Sequence, residues 1–338
     1  MNQSFKKFLV WFWTSVCMIV FISTFNFIYE EKNALIGLSI FLMFLLFSEK
    51  DLGLKVKQSI ILISAFFFGS AIVSQVASIN PIVGFFINFS ALLLIMLTFT
   101  EQPRDMIYVP FLLMYVFEQS TKTDMFDFLL RIMSFVPTLV LLGVFYYLMH
   151  PIKKERNRTL KTVFSHIEIQ TERFNLAVKT ALTLSSIIVV CSFCPQENAR
   201  YSVIIALTIL QLLGTDIYTA NIKNPVRPFL ILTVLAVLFY LLVPQEYSQY
   251  LFWLFCFVFV YMKRYRIQLL FITISAMGAA NIVLDLDTAV PWRIIPLICA
   301  LIFPVLINRM CSRSITYIII NTHWKQVCFL EYHTHFFA

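Results

Sequence analysis

From Phe8 to Tyr29 the chain runs without a charged side chain, and comparable runs, such as Pro228 to Val243, recur along its length. About 20 consecutive apolar residues, coiled as a helix, match the hydrocarbon core of a bilayer. Within lipid, only a helix or a closed barrel satisfies its own backbone hydrogen bonds. A barrel would show short strands alternating apolar and polar residues. These runs are continuous, so helices remain. Composition agrees: 60% of the residues are apolar and 13% charged, against roughly 45–50% and 25% in soluble domains. Such a chain has too little polar surface to coat a soluble globule.

The sequence therefore predicts an all-α integral membrane protein with about twelve transmembrane helices. They fall near 8–29, 33–47, 59–79, 82–99, 106–117 and 126–149, then near 175–194, 200–219, 225–243, 246–262, 267–283 and 288–307. Segments 33–47 and 106–117 are short for a full crossing, which leaves ten to twelve crossings. The first run follows Lys6 and Lys7 but ends in no A-x-A cleavage pattern, so it is expected to be a retained signal anchor.

Basic residues give a second test, since Lys and Arg collect in cytoplasmic loops. With twelve crossings and an inner N-terminus, 20 of the 26 basic residues fall on the inner side. Lys32, Lys122, Arg131, Arg200 and Arg293 fall on the outer side, and Lys179 lies inside a span. This asymmetry places both termini in the cytoplasm of a multi-pass inner-membrane protein. One short segment failing to cross would invert every later loop, so both cross or both fail. The net charge of +8 follows mostly from the same rule and gives no reason to expect nucleic acid as a partner.

Residues 150–174 are the one long polar stretch in the chain interior and read as a basic cytoplasmic linker. They separate a first transmembrane half, 1–149, from a second, 175–308, and a short cytoplasmic tail follows at 309–338. An offset of 162 residues lays the last four spans of the second half on those of the first and sets Arg293 on Arg131. Two six-helix halves in this order form parallel repeats about an axis along the membrane normal, with a pathway expected between them.

No carboxylate is expected deep in a span: the 18 acidic residues read as lying in loops or toward span ends. Basic residues do enter the spans. Lys179 sits inside the seventh, Arg227 opens the ninth, and Arg131 and Arg293 stand near the start of the sixth and twelfth. Positive charge near both mouths suits an anionic substrate, although such side chains at span ends also commonly extend to lipid headgroups. The seven cysteines lie mostly in apolar runs and read as packing residues, the Cys191-x-x-Cys194 pair included. The five histidines are in the linker or tail, no acidic pair completes a metal site, and no nucleotide-binding or hydrolase motif occurs. The chain is expected to use no cofactor and to be no enzyme.

The stretches Asn33-Ala-Leu-Ile-Gly37, Glu49-Lys50-Asp51-Leu52 and Tyr108-Val109-Pro110-Phe111, with Arg131, resemble the first half of bacterial fusaric-acid-resistance-like membrane proteins, which group with the aromatic acid exporters. In the second half, Lys179-Thr180-Ala181-Leu182 resembles the family's R-x-A-L, Arg200-Tyr201 its Arg-Trp, Gln211 its glutamine, and Arg227 its arginine opening the next span. Leu212 stands where that family has proline, and Pro228, Phe229 and Leu230 where it has glycines. The resemblance implies export of small organic, including aromatic carboxylic, anions along a path of Lys179, Arg131, Arg227, Arg293, Arg200 and Gln211. Expected partners are membrane lipids, the anion, and a second copy or an envelope protein. The alternative is a non-transporting scaffold or accessory subunit of an envelope complex, using the basic linker to bind anionic lipid or a partner.

Overall fold

A computed structural model describes residues 3–30, 33–100, 107–120, 124–150 and 172–193, with positions 159, 302, 303, 306 and 307. Seven full helices follow one another there: α1 (Gln3–Tyr29), α2 (Ala34–Glu49), α3 (Val56–Ala77), α4 (Pro81–Phe99), α5 (Tyr108–Ser120), α6 (Met125–Met149) and α7 (Glu172–Ser192). Five of them, α1, α3, α4, α6 and α7, contain stretches long and apolar enough to cross a membrane. The chain is thus a helical, multi-pass membrane protein. The expected spans from 200 to 283 lie outside the described residues, as does nearly all of 288–307, and with them the count of twelve and the second repeat.

Local chemistry explains where several helices begin. Asn80 caps α4 by accepting from the backbone of Ile82 (2.9 Å) and Val83 (3.3 Å), with Pro81 next. Asp124 caps α6 by accepting from the Asp127 amide at 2.8 Å, where a negative charge also complements the helix dipole. Pro137 lies inside α6 and supplies no amide proton. Hydroxyls serve the backbone around it: Ser134 donates to the Arg131 carbonyl and Thr138 to the Ser134 carbonyl, each at 2.7 Å.

The two short helices are central. α2 lies against α1, α5 and α6, while α5 lies against α2, α3 and α4. Tyr108, Phe111, Leu112, Met114, Tyr115, Val116 and Phe117 of α5 are all buried, the mark of a helix enclosed on every side. Phe111 joins three neighbours: it stacks on Phe99 of α4 (3.7 Å) and meets Phe66 of α3 (5.0 Å) and Phe47 of α2 (6.2 Å). By contrast, only 6% of the apolar window in α1 is buried. α7 packs on α4, and the Arg173 guanidinium at its start donates to the Leu97 carbonyl near the end of α4. These two helices therefore run antiparallel.

α2 and α6 run parallel and are fastened at both ends. At one end the Arg131 guanidinium reaches Asn33. At the other, the Tyr146 hydroxyl donates to Asp51 at 2.5 Å and accepts from the Leu52 amide at 3.2 Å, with Ser59 Oγ also 3.2 Å away. Nε2 of His150 lies 2.8 Å from the Phe47 carbonyl oxygen. The turn that brings Asp51 to this place includes Gly53 in the left-handed region (φ 71°), favourable ground for glycine.

Two substitutions test this packing. A Cβ on Gly84 would meet the Ala77 carbonyl oxygen, whereas one on Gly69 would have nothing within 4 Å. Gly84→Ala is therefore expected to lower the melting temperature of the detergent-purified protein, and Gly69→Ala to leave it unchanged. Tyr146→Phe removes one donor from a buried network and is expected to cost about 1–3 kcal/mol, read as a fall in the midpoint of chemical unfolding in detergent.

Candidate functional site

The main concentration of buried charge among the described residues lies where α2 begins, α5 ends and α6 begins. Arg131 is 0% exposed. Its Nε donates to Asn33 Oδ1 at 3.0 Å and its Nη1 to the Glu118 carbonyl at 3.5 Å. Asn33 in turn donates from Nδ2 to the Tyr29 carbonyl at 2.8 Å, so one amide side chain satisfies the end of α1 and holds the arginine. Arg131 thus does not extend to a headgroup; the protein encloses it.

Two carboxyls share this neighbourhood. Asp127 is 2% exposed and precedes Arg131 by one helical turn, the i, i+4 spacing that sets both on one face. Glu118 is also 2% exposed, beside the Arg131 guanidinium and the Ser70 hydroxyl of α3. Neither Glu118 carboxyl oxygen makes a hydrogen bond of normal geometry, and the Ser70 hydroxyl beside them is within bonding distance of the Phe67 carbonyl, at 3.1 Å. Both acidic residues lie toward helix ends, as expected, Glu118 two residues before the end of α5 and Asp127 in the first turn of α6, but both are buried there. An apolar segment drawn to Phe117 leaves Glu118 just outside; α5 continues to Ser120 and carries it inside.

A cavity of about 570 Å³ lies on the other side of Ser70, between α3 and α4. Its apolar walls include Phe66, Phe86 and Leu94, and its polar groups come from Ser70, Ser90 and Tyr115. Tyr115 is fully buried and donates from its hydroxyl to Asn88 Oδ1 at 2.6 Å. Ser70 and Tyr115 therefore form the wall between this cavity and the charged cluster, Tyr115 lying one turn before Glu118 on α5.

Lys179 belongs to a different interface. It sits two turns inside α7 and is 8% exposed. Buried hydroxyls flank it at Thr180 and Thr183, and Thr183 donates to the Lys179 carbonyl at 2.7 Å. Of the residues expected along an anion path, Arg131 and Lys179 are thus both interior and on separate helices. Arg200, Gln211, Arg227 and Arg293 lie outside the described residues. Sequence reasoning found both interior cations but missed Glu118, Asp127, Asn88 and Ser70; an acidic residue immediately after an apolar run, three positions from a tyrosine, was the available signal for Glu118.

No family model, curated protein or solved structure matches the chain. The site is therefore read from its own chemistry. Removing one partner of a buried pair leaves the other uncompensated, which costs about 3–5 kcal/mol, whereas losing one hydrogen bond to a charged group costs about 1.5–3 kcal/mol. Arg131→Ala is expected to abolish monodisperse protein in detergent, and Asn33→Ala to lower the melting temperature while leaving the protein foldable. Size-exclusion profiles and thermal melts of the two variants check this order.

Proposed function

We propose that the chain moves small organic anions, aromatic carboxylates among them, across the membrane, as expected of a relative of the fusaric-acid-resistance-like proteins. The observation that carries this reading is the burial of Lys179 two turns inside an apolar helix, among threonine hydroxyls. An intramembrane cation is costly to bury and is most often found on a substrate or ion path. The α3–α4 cavity supports the reading in size and lining: about 570 Å³ falls in the range of small-molecule sites, about 300–1,000 Å³. Phe66, Phe86 and Tyr115 offer faces against which an aromatic ring packs.

In this reading Lys179 attracts the anion by charge and the hydroxyls beside it replace part of the anion's hydration. Arg227, Arg293, Arg200 and Gln211 extend the path in the second half. Arg131 acts through the cluster it organises. Transport of radiolabelled benzoate into proteoliposomes at alkaline pH, with protein-free liposomes as the blank, tests the proposal. Lys179→Ala is expected to reduce protein-dependent flux at least tenfold and Lys179→Arg to retain most of it. Flux unchanged in both Lys179→Ala and Arg227→Ala overturns the basic path.

A further inference from the structure

The space between α3 and α4 is a groove lined for hydrocarbon. No charged side chain lines it. Two of its three polar side chains are already engaged within the protein: the Tyr115 hydroxyl donates to Asn88 at 2.6 Å, and the Ser70 hydroxyl lies 3.1 Å from the Phe67 carbonyl. The third, Ser90, is small and exposed. Val83, Phe86 and Leu94 on the α4 wall are more than half exposed, so the groove opens out of the helix bundle. Both α3 and α4 are long and apolar enough to cross a membrane. What lies outside that opening is therefore the interior of a bilayer.

The shape of the groove narrows the guest further. α3 and α4 touch along their length and are joined by the short turn Ser78-Ile79-Asn80. A helix is about 10 Å across with its side chains, so another helix can lie over the mouth of such a groove but cannot enter it. An unbranched chain can. Gly69 makes the room, since a Cβ there has nothing within 4 Å. The lining runs from Ala65 to Val73 on α3 and from Val83 to Ile95 on α4, about 12 and 18 Å at 1.5 Å per residue. One leaflet of a hydrocarbon core about 30 Å thick is about 15 Å deep. The groove begins beside the α3–α4 turn and ends near mid-bilayer, which is the path of one lipid tail.

We propose that this groove binds one acyl chain of a diacyl phospholipid, drawn from the leaflet on the side of the α3–α4 turn. Left empty, the groove forfeits dispersion contacts along both walls and its floor; a tail restores them. Recognition is of the hydrocarbon, because no charge stands in the groove to select a headgroup. The same walls suit the ring of the proposed cargo, so tail and ring exclude one another. The lipid site stands whether or not the chain transports anions.

Photolabelling of the full-length protein in phosphatidylcholine liposomes tests this, with a phosphatidylcholine that carries a diazirine midway along one acyl chain and adducts mapped by peptide mass spectrometry. The exposed face of α6, with Met133, Val140 and Val144, reports ordinary contact with the bilayer. α3 and α4 are expected to be labelled more heavily than α6. Gly69→Leu and Ser90→Leu fill the groove from opposite walls, and each is expected to bring the labelling of α3 and α4 down to that of α6. Gly69→Ala leaves the room open and is expected to keep the excess. Parent labelling no heavier on α3 and α4 than on α6, or an excess that survives both leucine substitutions, overturns the proposal. A disulfide-linked dimer formed in membranes by Gly69→Cys and not by the parent gives this face to a second copy and overturns it as well.

Discussion

The contact between Arg131 and Asn33 organises the described half of the molecule. It is a charge-assisted hydrogen bond sealed from solvent, and such a bond gains strength as the surrounding dielectric falls. Asn33 is bound to the last turn of α1 and precedes α2, while Arg131 belongs to α6 and touches the α5 backbone. Four helices therefore meet at one guanidinium. A hydrophobic contact has no preferred direction and could slide along the helix axes. The arginine fixes the register of α6 on α2, and the Tyr146, Asp51 and His150 contacts fix it again at the far end.

With the register fixed at both ends, the short helices become intelligible. α2 has 16 residues and α5 has 13, about 24 and 20 Å at 1.5 Å per residue, less than the roughly 30 Å of a hydrocarbon core. A helix facing lipid at that length would have to thin the bilayer. These two face protein: aromatic side chains of α2, α3 and α4 converge on Phe111, and the longer helices form much of the surface. The Phe47 carbonyl in the last turn of α2 meets His150 and the Glu118 carbonyl in the last turn of α5 accepts from Arg131, so α6 and the residue after it serve backbone groups at both helix ends.

Hydropathy made the helices legible, because burial in lipid selects for continuous apolar runs whatever the tertiary contacts. It located every described helix within a few residues. It could not say that the two short segments are central, since an apolar residue facing lipid and one facing Phe111 look alike in sequence. Arg131 stood out as a charge in an apolar setting, and Asn33 and Asp51 as parts of short motifs, but their partners lie 98 and 95 positions away. Tyr146 was indistinguishable from the aromatic residues around it. Glu118 was hidden for a sharper reason: a carboxyl itself ends an apolar run, so hydropathy places the span boundary before the residue that matters.

The interior cations differ in what surrounds them. Arg131 offers a planar fork whose Nε and Nη1 are held by an amide oxygen and a backbone carbonyl, with carboxyls nearby. Guanidinium groups favour such fixed, multidentate settings. An anion arriving at Arg131 would have to displace groups that hold four helices together. Lys179 is a point charge on a flexible stem, flanked by hydroxyls that can donate to or accept from a guest. In the proposed transport, contact with a mobile anion falls to Lys179. On the proposed function, the group that fixes the architecture stands apart from the group that meets the cargo, so the cargo can leave without loosening the fold.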